Sequence, residues 1–288
     1  AHVVTLLPEG RSSLRKDLTI GEQYIHYVPI NSLYSIGGIL RLKRLMQELE
    51  PQAIVCHLWY ANTVGRIAAH LAGMPKVFVV EHNVYDKVKS PFQFAVDRLL
   101  QRFTTRVIAV SDSVKESLTK RGVASERVVV LHNAVAPERY AQAAPADMRT
   151  EFSLPPDAFV LLAVGRLTYQ KGFDVLLKSL THVPKSVHAV VCGIGEEEDT
   201  LHDLAKTLGV QDRVHFAGVR NNIPALLKSA QCLVMPSRWE GEPIILLEAL
   251  AAGTPVVGSD IQALKNVIEE GVQGYLEKKK KKEVQEAH

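Results

Sequence analysis

Four side chains in the second half of the chain have the types and spacing for chemistry. Arg166 and Lys171 stand in GRLTYQKG, residues 165–172; Glu240 and Glu248, with seven residues between them, stand in PSRWEGEPIILLEALAAGTPVV, residues 236–257. An arginine and a lysine just ahead of a helix suit a diphosphate, the first as a bidentate fork and the second as a point charge. One such charge pair at ~4 Å contributes roughly 4 kcal/mol gross at an effective dielectric of 20, less desolvation. The loop lacks the Gly-x4-Gly-Lys-Ser/Thr order of a phosphate loop, and taken alone it reads equally well as surface cations. Ile244 to Ala252 is apolar on every side except at Glu248, so it is expected to be a buried helix, with Pro243 at its first position. Its opening amides would form a second anion site. A buried carboxylate without donors costs several kcal/mol. Glu248 is therefore expected to meet donors, either as an ion pair or backbone cap or, preferably, on a ligand that carries hydroxyls.

These groups need elements to hold them, and the sequence alternates accordingly. Residues 2–7 and 23–30 read as strands, and 39–50 as a helix after a break at Gly37–Gly38. Strands at 53–58, 76–82, 106–111 and 127–133 then alternate with helices at 62–73, 92–104 and 112–122. Residues 134–150, alanine-rich and containing Pro137 and Pro145, interrupt the rhythm. A second series follows, with strands at 159–167, 188–195, 213–219, 232–237, 255–260 and 274–277, and with helices between them. Short, β-branched, apolar strands alternating with helices imply parallel sheets covered on both faces. The expected fold class is α/β, with two Rossmann-like parallel-sheet domains facing a cleft. They would span residues 1–140 and 155–288, with a linker at 141–154. Ligands of such sheets bind at the carboxyl ends of the strands.

Composition narrows the classes. Apolar residues make up 47% and charged residues 23%, which is ordinary for a globular protein. A net charge of +3 is too small to argue for a nucleic-acid partner by itself. Cys56, Cys192 and Cys232 lie far apart in apolar runs, which reads as core packing in a reducing, cytoplasmic compartment and not as a disulfide or metal framework. No apolar run reaches the ~18 residues that span a bilayer. His182, His188, His202 and His215 show no metal spacing, and Gly193 with Gly195 lacks the third glycine of a dinucleotide fingerprint. Arg98, Arg102 and Arg106 recur every fourth residue, with Lys87 and Lys89 nearby. A solvated helix face is the plain reading; a patch for anionic lipid headgroups, hence peripheral membrane contact at the inner membrane face, is the sharper one.

The two motifs together resemble the retaining glycosyltransferases of the GT-B fold, the large family 4 group. The first half agrees: VCHLWYANTVGRIAAHLAGMPKVFVVEHN, VIAVSDSVKESL and VVVLHNAV are similar to the acceptor-side domain of that family. The resemblance implies a nucleotide diphosphate-sugar as substrate (UDP- or GDP-linked), a glycan or lipid-linked acceptor, and no cofactor. The chain has no Asp-x-Asp pair, so nothing suggests a metal. By the same resemblance Arg166 and Lys171 would hold the donor diphosphate, and the amides around Pro243, Ile244 and Ile245 would add to them. Glu240, with Gly241, would contact the transferred sugar, and Glu248 would take the ribose hydroxyls. His82 would face the donor sugar across the cleft; Glu240 and His82 are the catalytic candidates. His57, Asn62 and Ser111 would line the acceptor side, though each reads equally well as an ordinary polar strand end.

The sequence departs from the family pattern in places. Members usually open with a strand and a glycine-rich loop, which would precede Ala1, and close with helices beyond Glu277. Both ends therefore read as truncations, with Lys278 to Lys282 as a solvated tail. The first sheet is then expected to lack its central strand and to leave edges unpaired. Glu242 stands where an aromatic or aliphatic residue is commoner, and Asn133-Ala134 where Asn-Gly is usual. Two other functions share this pattern: a GT-B phosphorylase or epimerase, and a non-catalytic subunit that binds a nucleotide sugar or a partner.

Overall fold

The computed structural model describes residues 1–6, 20–84 and 89–277. The readings at Leu7, Lys87 and Lys278 to Lys282 lie outside the described residues. Two compact units divide the chain, Ala1–His132 and Asn133–His288.

In the first unit β1 (Val3–Thr5) and β2 (Ile25–Tyr27) form one parallel pair. A separate four-stranded parallel sheet follows in sequence order: β3 (Ile54–His57), β4 (Val77–Glu81), β5 (Arg106–Ala109) and β6 (Val128–Val130). Four helices connect these strands: α1 (Ile36–Leu49), α2 (Trp59–Leu71), α3 (Pro91–Leu100) and α4 (Asp112–Lys120). Gly37 and Gly38 were expected to break the chain. They lie in the first turn of α1 instead, where the buried stripe Ile39, Leu42 and Met46 outweighs their poor propensity. The start of α3 is fixed by Ser90, whose hydroxyl accepts from Gln93 N while the Gln93 side chain accepts from Ser90 N, with Pro91 as first residue.

The second unit opens with two short helices, α5 (Pro137–Ala141) and α6 (Met148–Glu151). Residues 141–154 were expected as a linker. Instead Tyr140, Met148 and Leu154 are buried in the core of this unit, which therefore takes in everything from Asn133 onward. Its sheet contains β7 (Phe159–Val164), β8 (Val187–Cys192), β9 (Val214–Gly218), β10 (Cys232–Met235), β11 (Val256–Ser259) and β12 (Gly274–Glu277). The strands are all parallel and lie in the order β9-β8-β7-β10-β11-β12. The remaining helices are α7 (Phe173–Leu180), α8 (Glu198–Thr207), α9 (Ile223–Ser229), α10 (Ile244–Ala252) and α11 (Gln262–Lys265). Successive strand residues take opposite sides: Val160, Leu162 and Val190 join Leu226 and Leu246 on one face, while Ala163, Ala189 and Val191 join Leu176 and Leu201 on the other. This period-two alternation, apolar on both sides, is why the strands are continuous apolar runs.

Candidate functional site

The six-stranded sheet reverses its order between β7 and β10, with β8 and β9 to one side and β11 and β12 to the other. Loops leaving two neighbouring parallel strands at such a reversal run to opposite faces and open a crevice at their carboxyl ends. The two motifs are those loops. After β7 the chain passes Arg166, makes a 3-10 turn at Tyr169–Lys171 and enters α7 through Gly172. After β10 it passes Pro236 to Gly241 and enters α10, with Pro243 at the N-cap and not at the first helical position.

The loops are tied side chain to backbone. Arg238 donates to both Asp174 oxygens at 2.9 and 2.8 Å and to the Tyr169 carbonyl at 2.7 Å, with its guanidinium 3.9 Å above the Tyr169 ring. Burial pushes the Asp174 carboxyl up, but the Arg238 guanidinium, with Lys178 behind it, holds it below the usual carboxylate range. Gln170 Nε2 donates to the Trp239 carbonyl at 3.0 Å. Gly172 has φ +67, and a Cβ there would lie 2.2 Å from the Pro236 carbonyl oxygen, so only glycine allows the loops this close. Gly193 acts likewise: a Cβ would lie 1.9 Å from the Gly165 carbonyl oxygen. Its role in this structure is loop packing.

Glu240 lies at the centre, 7% exposed. Its Oε1 accepts from Lys171 Nζ at 2.7 Å and Ser237 Oγ at 2.8 Å, and its Oε2 from Gln170 Nε2 at 3.2 Å. Three donors on about four lone-pair positions leave about one for a ligand. Lys171 is thus ion-paired, while Arg166 is exposed and its side chain has no polar partner among the described residues. Glu248 was expected to be deeply buried and to meet donors, as an ion pair, a backbone cap or on a ligand. It is half-buried, and its Oε1 accepts from the Tyr140 hydroxyl at 2.6 Å. α10 is not enclosed all round either, because Ile244 in its first turn is 50% exposed. The first-turn amides of a helix lack intrahelical partners, and those of Ile244 and Ile245 open the helix that the Glu240 loop leads into. The two departures Glu242 and Asn133 meet: the Glu242 carboxylate accepts from Asn133 N, and its carbonyl accepts from Asn133 Nδ2 at 2.9 Å.

In the first unit His57, the last residue of β3, and His82, just after the adjacent β4, are in contact. Nδ1 of His57 lies 3.0 Å from Nε2 of His82, and the rings stack 5.2 Å apart. Burial pushes both imidazoles below their ordinary value, and at His82 the neighbouring His57 lowers it further. The turn that carries His57 into α2 holds Leu58 at φ +70, a conformation costing about 1–3 kcal/mol for a side chain with a Cβ.

Asn62 and Ser111, expected on the acceptor side, are inside. Because α2 starts at Trp59, Asn62 faces the sheet, where its Nδ2 donates to Glu81 Oε1 at 3.2 Å. Ser111 is the buried N-cap of α4 and accepts from Val114 N. Glu81 and Asn62 belong to a buried charge network that the sequence reading missed. Lys89 Nζ donates to Glu81 at 3.2 Å and to Asp97 at 2.9 Å, and Arg66 donates to Asp97 at 2.6 Å. Burial pushes the Glu81 carboxyl up, opposed chiefly by Lys89. Lys89 is therefore a core residue and not part of a surface patch. Arg98, Arg102 and Arg106 do not share a helix face, since α3 ends at Leu100, Arg102 lies in a 3-10 turn and Arg106 begins β5.

Residues 1–139 match the family described as Glycosyltransferase Family 4, and residues 146–288 the one described as Glycosyl transferases group 1. The chain belongs to the family 4 glycosyltransferases. A family relative in Methanocaldococcus jannaschii, an uncharacterized glycosyltransferase, is 32% identical over 236 residues, covering 77% of this chain and 60% of that protein. The UDP-Gal:alpha-D-GlcNAc-diphosphoundecaprenol alpha-1,3-galactosyltransferase of Escherichia coli is 29% identical over 262 residues, covering 86% of this chain and 67% of that one. The chain thus spans 60% to 67% of the length of these two relatives. HepE of Anabaena, solved in complex with UDP and glucose, superposes with a TM-score of 0.80 at 24% identity, covering 88% of this chain and 72% of that one. The fold is GT-B.

Set in this family, the structure brings Lys171 against Glu240, ahead of Gly241 and the start of α10, with Arg166 on the same loop as Lys171. It also pairs His57 with His82. Sequence reading missed Gln170 and Ser237 as donors to Glu240, although both lie inside the quoted motifs. It also missed Tyr140, for which the one signal was an aromatic residue in an alanine-rich stretch.

Proposed function

We propose that this glycosyltransferase moves a sugar from a nucleotide diphosphate-sugar, UDP- or GDP-linked, to a glycan or lipid-linked acceptor, with retention at the transferred carbon and without a metal ion. One observation carries the reading: the two cation- and carboxylate-bearing loops leave β7 and β10, the strands at which the sheet order reverses. There Arg166, Lys171 and the first-turn amides of α10 offer positive charge to a diphosphate, and Glu240 and Glu248 offer acceptors to hydroxyls.

In the proposed step the bond between the sugar carbon and the phosphate oxygen breaks, and the acceptor oxygen bonds to that carbon on the same face. The acceptor proton passes to the departing phosphate oxygen. Charge accumulates on the diphosphate, so fixed cations and amides aimed there lower the barrier without reorganising. Glu240, held by Lys171, Ser237 and Gln170, orients the sugar hydroxyls with its remaining acceptor capacity. In the first unit His82 is taken as the second catalytic candidate and its partner His57 as an acceptor-side residue. The Escherichia coli relative's name supports a lipid-linked acceptor and the Anabaena structure supports UDP as the nucleotide. Exposed Phe92 and Leu99 beside Arg98 on α3 support peripheral contact with a membrane.

Product analysis tests the reaction. With labelled UDP- and GDP-sugars and polyprenyl-diphosphate-linked acceptors, the new glycosidic bond is expected to keep the donor's anomeric configuration, at a rate unchanged by EDTA. An inverted product, a sugar 1-phosphate, or an epimerised nucleotide sugar without transfer would overturn the assignment.

A further inference from the structure

We infer that Tyr140 is a positioning residue for the donor: its hydroxyl fixes the Glu248 carboxylate in the orientation that receives the ribose. The inference rests on the donor-site reading above and adds a residue to it. α5, which carries Tyr140, packs against α10, which carries Glu248, and the Tyr140 ring is 4% exposed among Met148, Leu246 and Ala249. The ring would fill that hole equally well without its oxygen. A buried hydroxyl needs a partner, and the one this hydroxyl takes is Glu248 Oε1 at 2.6 Å. Burial and the Glu248 bond push the phenol up to about 12, so it remains protonated and donates at any pH near neutrality.

The bond takes about one of the carboxylate's four lone-pair positions. Oε2 has no partner among the described residues, and the side chain is half-buried. A glutamate at this place would otherwise sample several rotamers, and ordering it would count against binding. With Oε1 anchored, the remaining positions are presented in a fixed direction, enough for both hydroxyls of a ribose. The geometry therefore makes Tyr140 act on the ligand through Glu248 without touching it.

The test uses calorimetry with UDP (GDP if UDP does not bind) and its 2′-deoxy form on the wild type, Tyr140→Phe and Glu248→Ala. Tyr140→Phe keeps the ring and removes only the donor. It is expected to weaken nucleotide binding about tenfold, the scale of one hydrogen bond to a charged group. It should also shrink the ratio of 2′-deoxy to ribose dissociation constants toward that of Glu248→Ala. That ratio separates positioning from general loosening of the core, which would weaken both nucleotides equally. A Tyr140→Phe variant with weaker binding but an unchanged ratio, or with neither altered, overturns the inference while Glu248→Ala still upholds the donor site. Unaltered binding in Glu248→Ala overturns the donor reading and the role of Tyr140 with it.

Discussion

His57 and His82 show how a residue-scale contact becomes measurable. Burial holds both imidazoles below the ordinary value of 6.5, so the folded chain binds protons less readily than the unfolded one. Between their lowered pKa values and about 6.5 the unfolded state carries more protons, and stability rises with pH through that window. Acidifying from pH 7 to 5 is expected to lower the denaturation midpoint, and His82→Gln to flatten part of that slope. An identical slope in the variant would contradict a partly desolvated, neutral pair. The residue scale is also where sequence reading was least secure. The anomaly it found, a carboxylate in an apolar helix at Glu248, is answered by Tyr140. At the candidate site the more deeply buried of the two carboxylates is Glu240, in a run polar enough to pass for surface. Periodicity reports which face of an element is apolar, but it cannot report that a loop lysine and a glutamine 70 residues earlier will enclose a glutamate.

At the scale of elements the strands were legible because β-branched apolar runs admit few alternatives once both faces are covered. Helix starts were less so. α2 begins at Trp59, three residues earlier than its pattern suggested, because a left-handed turn at Leu58 and not a side-chain cap opens it. That shift turned Asn62 from a strand-end residue into a buried one. α3 was read as longer than it is, and the supposed row of arginines dissolved where a 3-10 turn replaced the helix. Among the residues exposed on α3 are Phe92, 60% exposed, Leu99, 56% exposed, and Arg98. No helix among the described residues is long and apolar enough to cross a membrane. An apolar pair flanked by a cation is the pattern of a surface element that dips into an anionic interface. Co-sedimentation with vesicles containing anionic lipid is expected, to be reduced several-fold by Phe92→Ser with Leu99→Ser and by raised salt. Equal sedimentation of the double variant would remove α3 as the contact.

At the scale of the whole molecule the two-series α/β pattern was legible from spacing, and the family from the resemblance of the quoted motifs. The order of the second sheet was not. That β10 returns to lie beside β7, and so brings residues 165–172 against residues 236–243, depends on long-range pairing that no local pattern encodes. Nor was the division of the chain at Asn133, because the alanine-rich stretch looks like a linker until its few large side chains, Tyr140 and Met148, are seen to be buried. The buried network of Glu81, Lys89, Asp97 and Arg66 escaped for the same reason, and stranding one of its charges would cost about 3–5 kcal/mol.

The central claim is that the crevice between the loops after β7 and β10 binds the donor nucleotide. Nucleotide-dependent thermal stabilisation tests it most directly. UDP or GDP at a hundredfold excess over its dissociation constant adds about 2.7 kcal/mol of stability, a readily measured rise in melting temperature. The account predicts that rise for the wild-type chain and its loss in both Lys171→Ala and Glu248→Ala. The same rise in both variants would contradict it.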